Sequence, residues 1–93
     1  MRWFFQFYYM HKLYILHSAL LNRYYIGYTS GEILNRLEKH LSNHTGFTSK
    51  AKDWRIVYFE LFQTKEEAMK REREIKAWKS KIKIENLIGS ATA

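Results

Sequence analysis

The chain contains no cysteine, no proline and only four glycines among its 93 residues. Without cysteine there is no disulfide framework, no thiolate zinc site and no thiol nucleophile. A reducing compartment, the cytoplasm, is the expected setting. Poor in glycine and free of proline, the sequence is neither collagen-like nor low-complexity. No stretch approaches the roughly 20 apolar residues that a membrane span requires. What the chain has in abundance is aromatic: seven Tyr, six Phe and three Trp, in a composition that is 46% hydrophobic. Disorder is thereby excluded, and one small domain with an efficient core is expected.

Acid is also scarce. Sixteen Lys and Arg stand against nine Asp and Glu, a formal charge of +7. Such a surplus favours polyanions: nucleic acid first, then an acidic membrane or protein. It is not one blunt tail, because residues 1–30 hold Arg2, Lys12 and Arg23 and no acid, while residues 64–88 mix eight bases with five acids. Mixed-sign helices of that kind also serve simply as solvated faces. Residues 1–9 are an aromatic run around a single Gln6. With one preceding base and no small-residue cleavage site, they do not read as a signal peptide. They are expected to be an extension that lengthens the first strand or covers an apolar surface, ahead of a domain over residues 10–88 and a flexible tail at 89–93.

Residues 13–16 are a short apolar run suited to a buried strand, and residues 23–28, rich in Tyr and Ile, form a second. The short connection between them predicts an antiparallel hairpin. Ser30, Gly31 and Glu32 open a helix with a stripe of Ile33, Leu34, Leu37 and Leu41, ending near Asn43. Residues 54–62 read as a third strand with apolar residues at both parities, hence covered on both faces. Thr64 with Glu67 fits a capping box and starts a second helix to about Trp78. Ser80 caps a last short helix that Gly89 stops. The expected fold is α+β: a three-stranded, mainly antiparallel sheet flanked by helices, in the order β-β-α-β-α-α.

Three features sit awkwardly in a plain core. Steps of about 100° per residue place Glu72 among Ala68, Ile75 and Lys79 on one face of the second helix. A carboxylate there is costly unless paired, hydrogen-bonded or bound to a cation, and Lys76 or Arg73 would serve as an edge partner. Arg36 and His40, four apart, border the first helix's stripe, either pointing into a groove or solvated beside Glu32 and Glu38. His40 and His44 match a zinc spacing, but no helical Glu accompanies them and Asn43 ends the helix first. Tyr14 lies on the first strand and Tyr24, Tyr25 and Tyr28 on the second, where strand tyrosines are commonly half-buried filler.

Leu13-Tyr14-Ile15 followed by Tyr25-Ile26-Gly27 resembles the paired motif of the GIY-YIG nuclease superfamily, the first tripeptide lacking its leading glycine. Arg36 and His40 are similar to the family's helix signature, and Glu72 falls where the family has its metal-binding glutamate. Gly46-Phe47-Thr48, Lys52-Asp53-Trp54 and the stretch from Glu67 to Trp78 look like the small, stand-alone branch. The resemblance implies hydrolysis of DNA phosphodiesters with one divalent cation, Mg²⁺ or Mn²⁺, held by Glu72. It implies that Arg36 binds the phosphate, that Tyr14 positions the water, that Tyr25 contacts the phosphate and that His40 relays a proton. Asn86 is the one candidate for the family's late asparagine.

Arg36, Lys50, Lys52, Lys76 and Lys79 are the candidates for DNA contact. One small domain has little room for base readout, so branched, nicked or single-stranded DNA is the expected substrate, with any specificity supplied by a protein partner. Two other readings stand beside this one. The first is a binding module of the same fold that does not cleave; the second is a basic protein whose aromatic start lies on a membrane surface. Tyr14, Tyr25, Arg36, His40 and Glu72 occurring together favour the enzyme, since a pure binder has no use for a metal carboxylate, and no membrane partner is expected.

Overall fold

The computed structural model describes residues 10–92; the aromatic run at 1–9 lies outside them. Strands β1 (His11–Ser18), β2 (Arg23–Thr29) and β3 (Arg55–Phe62) form one sheet in the order β2-β1-β3, antiparallel throughout. Helix α1 (Ile33–Ser42) and a 3-10 turn (Phe47–Lys50) connect β2 to β3, and α2 (Lys65–Trp78) and α3 (Lys81–Thr92) follow. The expected class and element order are therefore those observed.

Alternation along β1 sorts the core into two layers. Leu13 and Ile15 face α2 and α3, where they meet Ile26, Ile75 and Ile84. Tyr14 and Leu16 face α1 and the 3-10 turn, together with Ala51 and Trp54. The β1–β2 turn, with Asn22 at φ 51°, is held by a carboxylate. Asp53 accepts from the Ser18 hydroxyl at 2.5 Å and from the Leu20 amide at 2.8 Å. Both helix starts foreseen in the second half are present: Thr64 and Glu67 form a reciprocal capping box, and Ser80 Oγ accepts from the Lys83 amide at 3.2 Å.

Four expectations are corrected. The third strand is not covered on both faces: none of its residues is buried, and Phe59 is 46% exposed. Its two-parity apolar pattern comes from a bulge, because Ile15 pairs with Tyr58 but Leu16 with Ile56, so Val57 is the extra residue and packs on the same side as Tyr58. In α1, Leu34 is 65% exposed, and His40 takes the buried place beside Ile33, Leu37 and Leu41. Lys79 does not continue the face of α2 but caps it in the left-handed region, φ 47°. Gly89 does not stop the last helix, which runs on to Thr92 through the residues expected to be a tail; the helix's own hydrogen bonds tolerate an exposed glycine at a cost of about 1 kcal/mol.

Candidate active site

Tyr14 sits opposite Gly27 in the β1–β2 ladder, and the glycine makes the site possible. A Cβ at position 27 would come within 2.6 Å of the Tyr14 hydroxyl oxygen and 2.7 Å of Cζ. The Tyr14 ring occupies that space, 1% exposed, and its hydroxyl meets His40 Nε2 at 2.8 Å. The other ring nitrogen, Nδ1, is 3.1 Å from Thr48 Oγ1. Thr48 is itself fixed, since its carbonyl accepts from the Trp54 indole at 2.9 Å. His40 and Thr48 are 4% and 3% exposed, so both ring nitrogens are satisfied inside the protein. Tyr25, half-buried, packs edge-on to His40 with centroids 4.7 Å apart and stacks toward Phe47 at 6.4 Å.

The electrostatics follow from this burial. Desolvation pushes the Tyr14 hydroxyl up to about 12; the Arg36 guanidinium opposes that shift, and the charges of Tyr25 and Glu72 add to it. Burial and the nearby Arg36 hold His40 below its ordinary 6.5, so the imidazole is neutral at neutral pH. Arg36 offers only donors to the Tyr14 oxygen, which directs the phenolic proton toward His40 Nε2. We therefore assign the proton of the neutral ring to Nδ1, donating to Thr48. Arg36 is exposed and also borders an open groove of about 690 Å³ along α1 with Glu32, Glu38 and Lys39.

Glu72 comes from α2, on the far side of the sheet, half-buried between Ala68 and Ile75. Its Oε2 lies 3.4 Å from Lys76 Nζ, the edge pairing foreseen in the sequence. It nevertheless remains within electrostatic reach of the Tyr14 hydroxyl. Tyr14, Tyr25, Arg36 and His40 are thus brought together in one layer, and Glu72 approaches from the other. His44 is exposed in the loop after α1, apart from the buried His40, and among the described residues no group of three or more His, Asp or Glu could hold a metal. The donor set, one carboxylate, cannot cage a zinc or calcium ion; it suits a cation that keeps most of its water and shares a substrate phosphate.

The lysines are more scattered. Lys50 lies over the Phe47 ring, 5.4 Å from its centroid, and Lys52 Nζ donates to the Asn43 carbonyl at 2.7 Å. Lys12, counted with the surface charge in the sequence, is buried, donates to the Gly31 carbonyl at 2.9 Å and is pulled below its ordinary pKa by desolvation. Asn86 is exposed on α3. Thr48 stands in the sequence only as part of the Gly46-Phe47-Thr48 loop, with no role of its own: a loop threonine carries no signal that it will meet a histidine eight residues earlier.

A small antiparallel sheet thus carries two strand tyrosines, beside an arginine and a histidine one helical turn apart and a glutamate from a later helix, in a compact α+β domain. Residues 10–86 match the GIY-YIG catalytic domain, and the chain belongs to that family of nucleases, which act on nucleic acid and are generally metal-dependent. It is also similar to the solution NMR structure of the UPF0213 protein BH0048 from Bacillus halodurans, with 33% identity and a TM-score of 0.54 over 86% of this chain and 83% of that one. No curated protein matches the chain. No helix among the described residues is long and apolar enough to cross a membrane.

Proposed function

We propose that this protein is an endonuclease that hydrolyses DNA phosphodiesters with Mg²⁺ or Mn²⁺, selecting DNA structure rather than base sequence. What supports the reading is the Tyr14 hydroxyl: it is bonded to neutral His40 and lies within electrostatic reach of both Arg36 and Glu72. Glu72 would hold the cation, which when bound supplies positive charge to the scissile phosphate and the departing 3′ oxygen. Arg36 binds a non-bridging phosphate oxygen and offsets the charge that gathers there. Tyr25 flanks the phosphate. Tyr14 passes its proton to His40 Nε2 and takes one from the attacking water, whose oxygen bonds to phosphorus as the P–O3′ bond breaks. Thr48 holds the His40 ring so that Nε2 faces Tyr14. Phenol with a pKa near 12 is a poor base alone, so the imidazole acceptor and the guanidinium are both needed.

One contact favours a second reading, a nucleic-acid binder that does not cleave. Lys76 occupies one oxygen of Glu72, and such a bridge would persist in a protein with no use for a metal. At 3.4 Å, however, it is longer than the 2.7–2.9 Å of a strong charge-assisted bond and is displaceable. The two readings separate on labelled branched, nicked and single-stranded DNA incubated with Mg²⁺, Mn²⁺ or EDTA. The nuclease cuts at least one of these only with metal, and Glu72→Gln and Arg36→Ala each lower the rate at least ~100-fold. Metal-independent cutting, or cutting that survives Glu72→Gln, contradicts it.

A further inference from the structure

The outer edge of β2 carries a feature that the site above does not use. A groove of about 490 Å³ runs past this edge, between the start of the strand and the joint of α2 with α3. Its rim holds four cations, Arg23, Lys76, Lys79 and Lys81, and no carboxylate lines it. Two of the four have partners of their own: Lys76 bridges to Glu72, and Lys81 Nζ donates to the Asn22 carbonyl at 3.0 Å. Its accessible apolar surface comes from the half-buried rings of Tyr24 and Phe47, over the buried Ile26, Ile75 and Ile84. Left-handed Lys79 and the cap at Ser80 fix the joint and so the spacing of the rim.

Positive charge around half-buried aromatic rings is poorly matched to a neutral, aliphatic ligand. It is well matched to a polymer that alternates anionic phosphates with flat, apolar-faced bases. Two of its lining residues also touch the candidate site. Lys76 joins it to Glu72, and Phe47, which lines it, stacks toward Tyr25.

Resting on the nuclease-family reading, we infer that this groove is a binding site for one nucleic-acid strand adjoining the phosphate to be cut, its phosphates on Arg23, Lys79 and Lys81 and a base face on the half-buried rings of Tyr24 and Phe47. The strand so held leads past the edge of β2 toward Glu72, which gives the substrate a direction across the protein. Arg23 and Lys81 enter as contacts alongside Lys76 of α2 and Lys79 at its cap.

The test is made in EDTA, so that it does not depend on cleavage. Fluorescein-labelled dT12 and a 12-base-pair DNA hairpin are titrated into the full chain by anisotropy, and amide shifts are mapped on the ¹⁵N-labelled protein. Binding is expected to move the amides of residues 23, 79–81 and 84. The triple variant R23E/K79E/K81E should bind at least ~10-fold more weakly, with a salt dependence flattened by about 0.7 per lost contact on dT12. A control pair on the far edge and far helix end, R55E/K65E, should weaken binding far less. Binding of dT12 alone assigns the groove to unpaired strand, and equal binding of the hairpin with the same shifts assigns it to one strand of a duplex; either supports the site. Shifts that fall elsewhere, a control as weak as the triple variant, or equal binding of polyglutamate with the same shifts would overturn it. If wild-type protein binds through the groove but never cleaves with metal, the nuclease reading fails and the groove stands.

Discussion

Along β1, Leu13 and Ile15 turn toward α2 and α3 and are sealed among aliphatic side chains, whereas Tyr14 and Leu16 turn toward α1, where a histidine and a threonine are buried with them. The first layer contains isoleucines and leucine whose contribution is apolar area, roughly 1.5–3 kcal/mol for each fully buried side chain. The second accepts polar groups into its centre because each has a partner: Tyr14 with His40, His40 with Thr48, Thr48 with Trp54. One strand therefore anchors the fold with its odd residues and presents chemistry with its even ones. A domain this small has no separate scaffold, so the division between stability and reactivity is made at the level of strand parity.

Substitutions on the two layers should separate accordingly. The largest effect is expected from Ile75→Ala, fully buried on the aliphatic side. It should lose about 2–5 kcal/mol in urea unfolding, while the fraction that remains folded keeps the neutral His40 resonance. Gly27→Ala attacks the other layer by overpacking. With Tyr14 pinned to His40, the new methyl should destabilise by about 1–3 kcal/mol and shift the Tyr14 and His40 signals; an unchanged unfolding midpoint would mean that the ring moves aside freely. Thr48→Val removes one hydrogen bond at the layer's far end, worth about 0.5–1.5 kcal/mol, and Thr48→Ser should restore it. In that valine variant His40 loses its tautomer control, visible in the ¹⁵N shifts of the ring.

The smallest effect is a pH dependence. His40 has its pKa lowered in the folded state, so the unfolded chain takes up a proton first. Its contribution is in full force above 6.5 and declines as pH falls below 6.5 toward the lowered folded value. His40→Gln should flatten stability against pH in that window; an unchanged slope would locate the titration elsewhere.

Much of this was legible in the sequence because it rests on local patterns. The hairpin follows from two β-rich runs with a short link, and the start of α2 from Thr64 and Glu67, three residues apart. Legibility failed where a distant partner changed the rule. His40 occupies the buried centre of α1 because Tyr14 and Thr48 satisfy its nitrogens, which displaces the stripe and leaves Leu34 in solvent. The bulge at Val57 needs the register of β1 to be seen. Asp53 looked like part of a loop motif, yet its carboxylate fastens a turn more than thirty residues away. Glu72 was foreseen between buried neighbours and with a lysine beside it, but its approach to the Tyr14 hydroxyl depends on how α2 lies across the sheet.

The proposed chemistry turns on one oxygen atom, and Tyr14→Phe removes it with little change in volume. Single-turnover cleavage of the preferred labelled DNA with Mg²⁺ should fall at least ~100-fold in this variant while binding in EDTA is retained, the scale expected for losing a positioned proton-transfer group. Cleavage at the wild-type rate by folded Tyr14→Phe would contradict it.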